Sequence, residues 1–176
     1  MTVRRSAWRP ERVVIVPIRG GYIVTDSYIA AKVVDLPKGF PTESGSFWRK
    51  KGEWGSRSED VGHVVRSIDR SARGHDHLDA WPIAAPDHSG HEEERPLYTN
   101  PGENLPILWA WTNGEDLLWF DADFLDIICR LLGDKEYDWT CNGPSSPLIA
   151  WEEGVWRGMA MPVRHGFPSN GLTEGE

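Results

Sequence analysis

The first two apolar stretches of the chain predict a β-hairpin. Val13 to Ile18 is a run of mostly β-branched residues, which favour strands, and the Gly20-Gly21 pair after it is typical of a tight turn. A second apolar stretch, interrupted by Thr-Asp-Ser, runs from Tyr22 to Val34 and supplies the other strand. Pro17 cannot donate a ladder hydrogen bond, so we expect an edge strand or a bulge at its position.

Residues 59–72 carry apolar side chains at the spacing of an amphipathic helix. The apolar stripe consists of Val61, Val64, Val65 and Ile68. A different face carries three cations, Arg66, Arg70 and Arg73. Ser58 and the acids after it fit the start of a helix, where negative charge is favourable, and Gly74 ends it.

The second half of the chain predicts two further hairpins and a second helix. The predicted elements are 105–112, 117–120, 122–132, 137–141, 148–151 and 155–161. Asn113-Gly114 between the first two strands is a strong hairpin signal. Asp121 is an N-cap residue for the helix, which has a broad apolar face, and Gly133 ends it.

These elements predict an α+β fold, in which an antiparallel sheet is covered by two helices packed on one face. We expect a single domain over residues 13–165, with loop insertions at 37–58 and 74–104, which are rich in Gly, Pro and charged residues. A basic flexible arm at 1–12 precedes the domain, and a disordered tail at 166–176 follows it.

Composition favours a protein without disulfides or membrane spans. No apolar run approaches the roughly 18 residues of a membrane-spanning helix. Cys129 and Cys141 are the two cysteines and form no disulfide framework, so we expect a cytoplasmic location. The net charge is −8, yet residues 1–73 hold 14 Lys and Arg against 8 Asp and Glu. This asymmetry fits either an anionic partner on one side or a solvated surface with two differently charged sides.

Four histidines of the second insertion are spaced as H-x-H and H-x-x-H: His75, His77, His88 and His91. Imidazole and the nearby carboxylates suit zinc or another transition metal. The segment has few apolar residues to hold such ligands in place, so solvated loop histidines are the simpler interpretation. Motifs of nucleophilic hydrolases, P-loop proteins and zinc proteases are absent, and we expect no cofactor and no enzymatic activity.

Two separate stretches carry motifs in a fixed order. Residues 117–164 contain Phe-Asp-Ala-Asp-Phe-Leu-Asp-Ile-Ile, then Ser-Ser-Pro, then Met-Pro-Val-Arg. Residues 21–30 contain Val-Thr-Asp-Ser-Tyr-Ile-Ala. The first stretch resembles the end of the bacterial DNA polymerase sliding clamp, which reads F-N-x-x-(Y/F)-L-x-D-(V/I)-L, then S-P, then M-P-(M/V)-R. The second is similar to the clamp's ATDGHRLA strand, with Ser27 in place of the glycine.

The resemblance implies a DNA-clamp-like domain with a non-enzymatic role in DNA replication or repair. Clamps dock short apolar peptides of replication and repair proteins in a surface groove. The groove residues implied here are Thr25, Ser27, Tyr28, Ile29, Ser145, Ser146, Met159, Met161, Pro162 and Val163. Clamps also hold double-stranded DNA in a ring lined by basic helices, and the implied DNA-facing residues are Arg66, Arg70 and Arg73. A closed ring of six such domains would require a homo-oligomer of this chain.

Two other functions stay open from the sequence. Asp123 and Asp126 make the second helix acidic, which fits a clamp-fold decoy or regulatory protein, of phage or plasmid type, that does not bind DNA. The segment from His75 to His91 fits a metal-dependent hydrolase. Salt-dependent DNA binding separates the first alternative from a clamp, and bound metal in the purified protein identifies the second.

Overall fold

The structure is mixed α+β. The computed structural model describes residues 8–57, 60–73, 77–133 and 135–163. Within these residues the strands are β1 (Arg12–Ile18), β2 (Gly21–Thr25), β3 (Ile29–Val33), β4 (Gly45–Lys50), β5 (Glu53–Arg57), β6 (Trp81–Pro82), β7 (Ala84–Ala85), β8 (Arg95–Pro96), β9 (Tyr98–Thr99), β10 (Leu108–Thr112), β11 (Leu117–Asp121), β12 (Asp138–Thr140), β13 (Leu148–Glu152) and β14 (Val155–Ala160). The helices are α1 (Val61–Arg73) and α2 (Ala122–Leu132).

Eight strands form one large antiparallel sheet, in the order β12-β13-β14-β3-β2-β1-β4-β5. A smaller sheet has the order β11-β10-β6, with β9 also paired to β10. In the large sheet β14 pairs with β3, so that Ala160 lies opposite Ile29 and Met159 opposite Ala30. This pairing brings the two stretches that carry the sequence motifs side by side.

The two helices cover opposite faces of the large sheet, so the prediction that both pack on one face is wrong. α1 packs Val65 and Ile68 against the cluster that contains Ala30, whereas α2 packs Ile128 against the cluster that contains Ile29. Successive side chains of a strand point to opposite faces, so neighbouring residues of β3 contact different helices. The central strands are apolar at consecutive positions, and both of their faces therefore need cover.

Helix α2 begins and ends at the residues that the sequence predicts. The Asp121 carboxylate accepts hydrogen bonds from the backbone N–H groups of Asp123, at 2.9 Å, and Phe124, at 3.3 Å. Gly133 has a positive φ of 79°, and its N–H donates to the carbonyl of Cys129. The cap contributes about 1 kcal/mol to the helix, and burial raises the pKa of the Asp121 carboxyl.

The pairing of strand β1 explains why the sheet accommodates Pro17. Its pairing with β4 covers Arg12 to Ile15 only, while its pairing with β2 continues to Ile18. Pro17 therefore lies where β1 has a partner strand on one side alone. At this residue β1 is an edge strand, as the sequence predicts.

Two segments predicted to be irregular are ordered parts of the fold. The expectation of a loop at 37–58 is wrong, because β4 and β5 form a hairpin there that extends the sheet beyond β1. The boundary of the flexible arm is also wrong: Trp8 packs against the core, its Nε1 donates to Asp26 at 3.0 Å, and Arg12 begins β1. The remaining arm residues, 1–7, lie outside the described residues.

The second predicted insertion, 74–104, holds four two-residue strands. β6 and β9 pair with β10, and β7 pairs with β8, so this segment completes the smaller sheet instead of forming a plain loop. Residues 74–76 lie outside the described residues, as does the predicted tail at 166–176.

Replacing Gly158 with Val tests the packing of α2 on β14. A Cβ atom at Gly158 would lie 2.9 Å from Leu132 Cδ1 and 3.1 Å from Ile128 Cγ2. Overpacking of this kind costs about 1–3 kcal/mol, so we expect the free energy of unfolding in urea to fall by that amount. The control is Gly55→Val, in a strand whose Cβ would meet only Trp48 O at 3.8 Å. Equal stability of the two variants would contradict this packing.

Candidate functional site

A groove of about 370 Å³ lies between α1 and the large sheet. The sheet supplies its floor with Val14, Thr25, Ala30 and Met159. One wall is helical and consists of His63, Val64, Ser67, Ile68 and Ser71. The opposite wall consists of Ser27, Tyr28, Ile29, Pro147 and Met161, with Arg12 at one end. The floor of the groove is thus mostly apolar. Its borders carry the hydroxyl groups of Ser27, Ser67 and Ser71, with the ionisable side chains of His63 and Arg12 beside them.

Two sequence motifs that lie far apart in the chain meet in this groove. The backbone N–H of Met161 donates to the carbonyl of Tyr28 at 2.8 Å, which continues the β14–β3 ladder past Ala160. Met159 is buried and Met161 is 37% exposed, so the pair reaches from the floor to the rim. Thioether side chains adapt to ligands of different shape, which suits a peptide-binding surface.

The turn between β2 and β3 is held by its own side chains. The Asp26 carboxylate accepts from the backbone N–H groups of Tyr28 and Ile29, each at 2.9 Å. Thr25 Oγ1 donates to the carbonyl of Ile29 at 2.7 Å and accepts from the N–H of Ser27 at 3.2 Å. Four hydrogen bonds therefore fix the rim of the groove before any ligand binds.

Six of the ten predicted groove residues line the groove: Thr25, Ser27, Tyr28, Ile29, Met159 and Met161. The other four do not. Ser146 belongs to a turn in which its N–H donates to Gly143 O at 3.0 Å, and Ser145 precedes it. Val163 donates its N–H to Trp119 O at 3.0 Å, so the chain after Met161, with Pro162, leaves the groove and joins β11.

The prediction missed the helical wall. The sequence does carry a signal for it, since Val64 and Ile68 belong to the apolar stripe of α1 and two serines flank them. Sequence alone does not show which face of the sheet α1 covers. Because the position of α1 determines which residues border the groove, the helical wall could not be predicted from the sequence. Pro147 was part of the Ser-Ser-Pro motif, and it is the residue of that motif that lines the groove.

Helix α1 is anchored beside the groove by a cluster of polar contacts. Trp156 Nε1 donates to Asp69 at 3.1 Å, and Lys32 Nζ lies 4.3 Å from the centre of the Trp156 ring. Burial lowers the pKa of Lys32, while attraction to Asp69 raises it in part. The buried face of the helix is further fixed by Ala72. These contacts hold one end of the helix on the sheet and leave its other edge to border the groove.

The three predicted DNA-facing arginines are exposed on α1, and none of them lines the groove. Arg66 lies 3.4 Å from Asp60, and both side chains are largely exposed, so this ion pair is weak. Arg70 and Arg73 occupy the last turn, where positive charge is favourable. The stripe is therefore available to an anionic ligand.

A second concavity lies on the other side of Tyr28 from the groove. Its lining includes Trp8, Arg9 and Phe124. The rings of Tyr28 and Phe124 stack with their centres 5.5 Å apart. Tyr28 is 59% exposed and so forms a ridge between the two depressions.

The predicted metal-binding histidines are not gathered into a site within the described residues. His77 Nε2 lies 2.7 Å from the carbonyl of Ala72 and caps α1, and its ring packs against Trp151. His88 and His91 are exposed, and His75 lies outside the described residues. In the described part of the chain, no group of three or more His, Cys, Asp and Glu side chains is placed to hold a metal ion.

No protein-family model, curated protein sequence or solved structure matches this chain. No helix among the residues that the structure describes is long and apolar enough to cross a membrane. The function therefore has to be inferred from the groove and from the motifs that line it.

Replacing Ser27 with Gly tests the conformation of the groove rim. Ser27 has φ 80°, a left-handed conformation that favours glycine. We expect Ser27→Gly to raise the free energy of unfolding in urea by about 0.5–1 kcal/mol, because the steric cost of the Cβ atom disappears. Ser27→Ala keeps the Cβ and is the control, for which no gain is expected. A gain in Ser27→Ala, or none in Ser27→Gly, would contradict a strained rim.

Proposed function

We propose that this protein is a sliding-clamp-like, non-enzymatic protein of DNA replication or repair, and that it binds short apolar peptides of partner proteins in the groove. One observation carries the proposal: the two motifs that resemble the sliding clamp, although far apart in sequence, line one groove together. Met161 and Tyr28 are joined there by a backbone hydrogen bond.

The groove has the size and chemistry of a peptide site. Its volume of about 370 Å³ fits a few side chains of a short segment. Met159 and Ile68 offer apolar contact, while Ser67 and Ser71 offer hydroxyl groups for the backbone of the bound segment. The rim is fixed by internal hydrogen bonds, so little conformational entropy is lost on binding.

The conformation of Ser27 adds support. Its φ of 80° lies in the region that glycine prefers, and glycine is the residue of the clamp's ATDGHRLA strand at this position. A glycine at this position would adopt the same backbone conformation without strain.

Peptide binding is tested by Met161→Glu. We expect the affinity for a fluorescein-labelled clamp-binding peptide of a bacterial DNA polymerase to fall at least tenfold, because a carboxylate replaces an apolar contact at the rim. Fluorescence anisotropy measures the affinity. Val155→Glu, at the other end of β14, is the matched control, since Val155 is 43% exposed and does not line the groove.

Three outcomes of this titration count against the proposal. The first is that the wild-type protein does not bind the peptide. The second is that it binds equally well a peptide whose apolar anchors are replaced by alanine. The third is that Val155→Glu weakens binding as much as Met161→Glu. The unfolding midpoint of each variant, measured in urea, separates lost binding from lost folding.

The proposal includes contact between α1 and the phosphates of double-stranded DNA. We expect Arg70→Glu combined with Arg73→Glu to weaken the binding of a 30-base-pair duplex at least tenfold at low salt, because two cations that would neutralise phosphates become anions. Lys38→Glu with Arg19→Glu reverses two exposed charges that do not belong to the helix and is the control.

Light scattering with and without the duplex shows whether the chain forms an oligomer on it. If the wild type binds the peptide but no duplex at any salt concentration, the DNA part is wrong. A clamp-fold decoy or regulatory protein then replaces the clamp in the proposal.

A further inference from the structure

The β4–β5 hairpin is a local positive region on an acidic protein. Between Gly45 and Arg57 the cations are Arg49, Lys50, Lys51 and Arg57. Glu53 is the single acidic residue of the same stretch, whereas the whole chain has a net charge of −8. Attraction of an anion to this hairpin therefore has to come from the local charges, since the net charge of the protein opposes it.

Two tryptophans lie among these cations. Trp48 is 38% exposed, and the guanidinium carbons of Arg12 and Arg57 lie 5.6 and 5.1 Å from the centre of its ring. On the other face of the hairpin, the guanidinium of Arg49 lies 4.5 Å from the ring of Trp54. Three of the four cation–π contacts found within the described residues thus belong to this hairpin and its neighbour β1.

The strand register places Trp48, Lys50 and Arg57 on one face, together with Glu53, which lies opposite Lys50. Trp48 lies opposite Arg12 on β1 and opposite Gly55 on β5, while Arg57 is paired two residues away, with Ser46. Because residues two apart in a strand point the same way, Lys50 shares this face with Trp48. Gly55 has no side chain to cover the indole, which leaves part of the ring in contact with solvent.

We propose that this face of the hairpin binds single-stranded nucleic acid, with an unpaired base stacked on Trp48 and the adjoining phosphates contacted by Arg57, Lys50 and Lys51. Exposed aromatic rings among cations are the usual means of binding single strands, since every base has a flat face. A duplex keeps its bases stacked on one another and offers none to an exposed indole, so the tryptophan selects the single strand.

This inference goes beyond the proposed function and does not depend on it. None of Trp48, Lys50, Lys51 and Arg57 lines the groove, and none belongs to α1. Peptide binding in the groove therefore serves as an internal control for Lys50→Glu with Arg57→Glu. Trp48 contacts Arg12, which lies at one end of the groove, so the Trp48 variants are compared by their unfolding midpoints instead.

The test is fluorescence anisotropy of a labelled 20-nucleotide oligothymidylate, titrated with the full chain at 50 and 200 mM salt. Three neutralised phosphates predict a slope of log affinity against log salt of about −2, which weakens binding roughly 20-fold between these concentrations. Trp48→Ala is expected to weaken binding at least fivefold, whereas Trp48→Phe, which keeps a flat ring, retains most of it. Lys50→Glu with Arg57→Glu is expected to lower the affinity and reduce the slope to about −1 or less.

Arg19→Glu with Lys38→Glu is the charge-matched control and is expected to bind as the wild type does. The proposal is overturned if a duplex of equal length binds as tightly as the oligothymidylate, or if the hairpin variants bind as the wild type does. It is also overturned if Trp48→Phe loses as much affinity as Trp48→Ala while both keep the wild-type unfolding midpoint. Loss of binding in Arg70→Glu with Arg73→Glu, but not in Lys50→Glu with Arg57→Glu, would assign nucleic-acid binding to α1 instead.

Discussion

The structure depends on the need to cover both faces of the central strands β2, β3 and β14. Ile29 and Ala160 point to one face of the sheet, and Ala30 and Met159 point to the other, and all four are buried. Burial of such side chains contributes about 25 cal/mol for each Å² of apolar surface removed from water, so neither face is left open without a large loss of stability. One helix on each side meets this need, and the positions of the helices set the shape of the surface.

The two helices cover their faces of the sheet to different extents. α2 is apolar over a broad face, and Leu125, Ile127 and Ile128 are buried in it. The only buried residue of α1 is Ala72, while Val65 and Ile68 are partly buried against the same cluster. The space that remains beside α1 is the groove. The candidate site is thus a consequence of incomplete cover on one face, held open by the turn that Asp26 fixes.

Much of this fold can be predicted from the sequence, because the ends of helices and the turns of hairpins are specified by residues close together in the chain. Asp121 and Gly133 mark the ends of α2, and Asn113-Gly114 marks a hairpin, since caps and turns are set by residues a few positions apart. The face that each helix covers is a long-range property and was predicted wrongly. The consecutive apolar residues of Val13 to Val16 and Ile29 to Ala31 did carry the signal of a sheet buried on both faces.

The candidate site was predictable in part for the same reason. Tyr28 and Met161, which directly flank β3 and β14 and meet because those strands pair, follow from the motifs. The wall from His63 to Ser71 requires the placement of α1. The β4–β5 hairpin was not predicted because Gly, Ser and charged residues dominate its sequence. Its strands form through pairing, β4 with β1 and β5 with β4, more than through their own propensity.

The most direct measurement is methyl NMR of the protein labelled at its three methionines, titrated with a clamp-binding peptide. Met159 and Met161 line the groove. We predict saturable shifts of the Met159 and Met161 methyl resonances with this peptide, and none with a peptide whose apolar anchors are replaced by alanine. Unchanged resonances of Met159 and Met161 at saturating peptide would contradict the groove as the binding site.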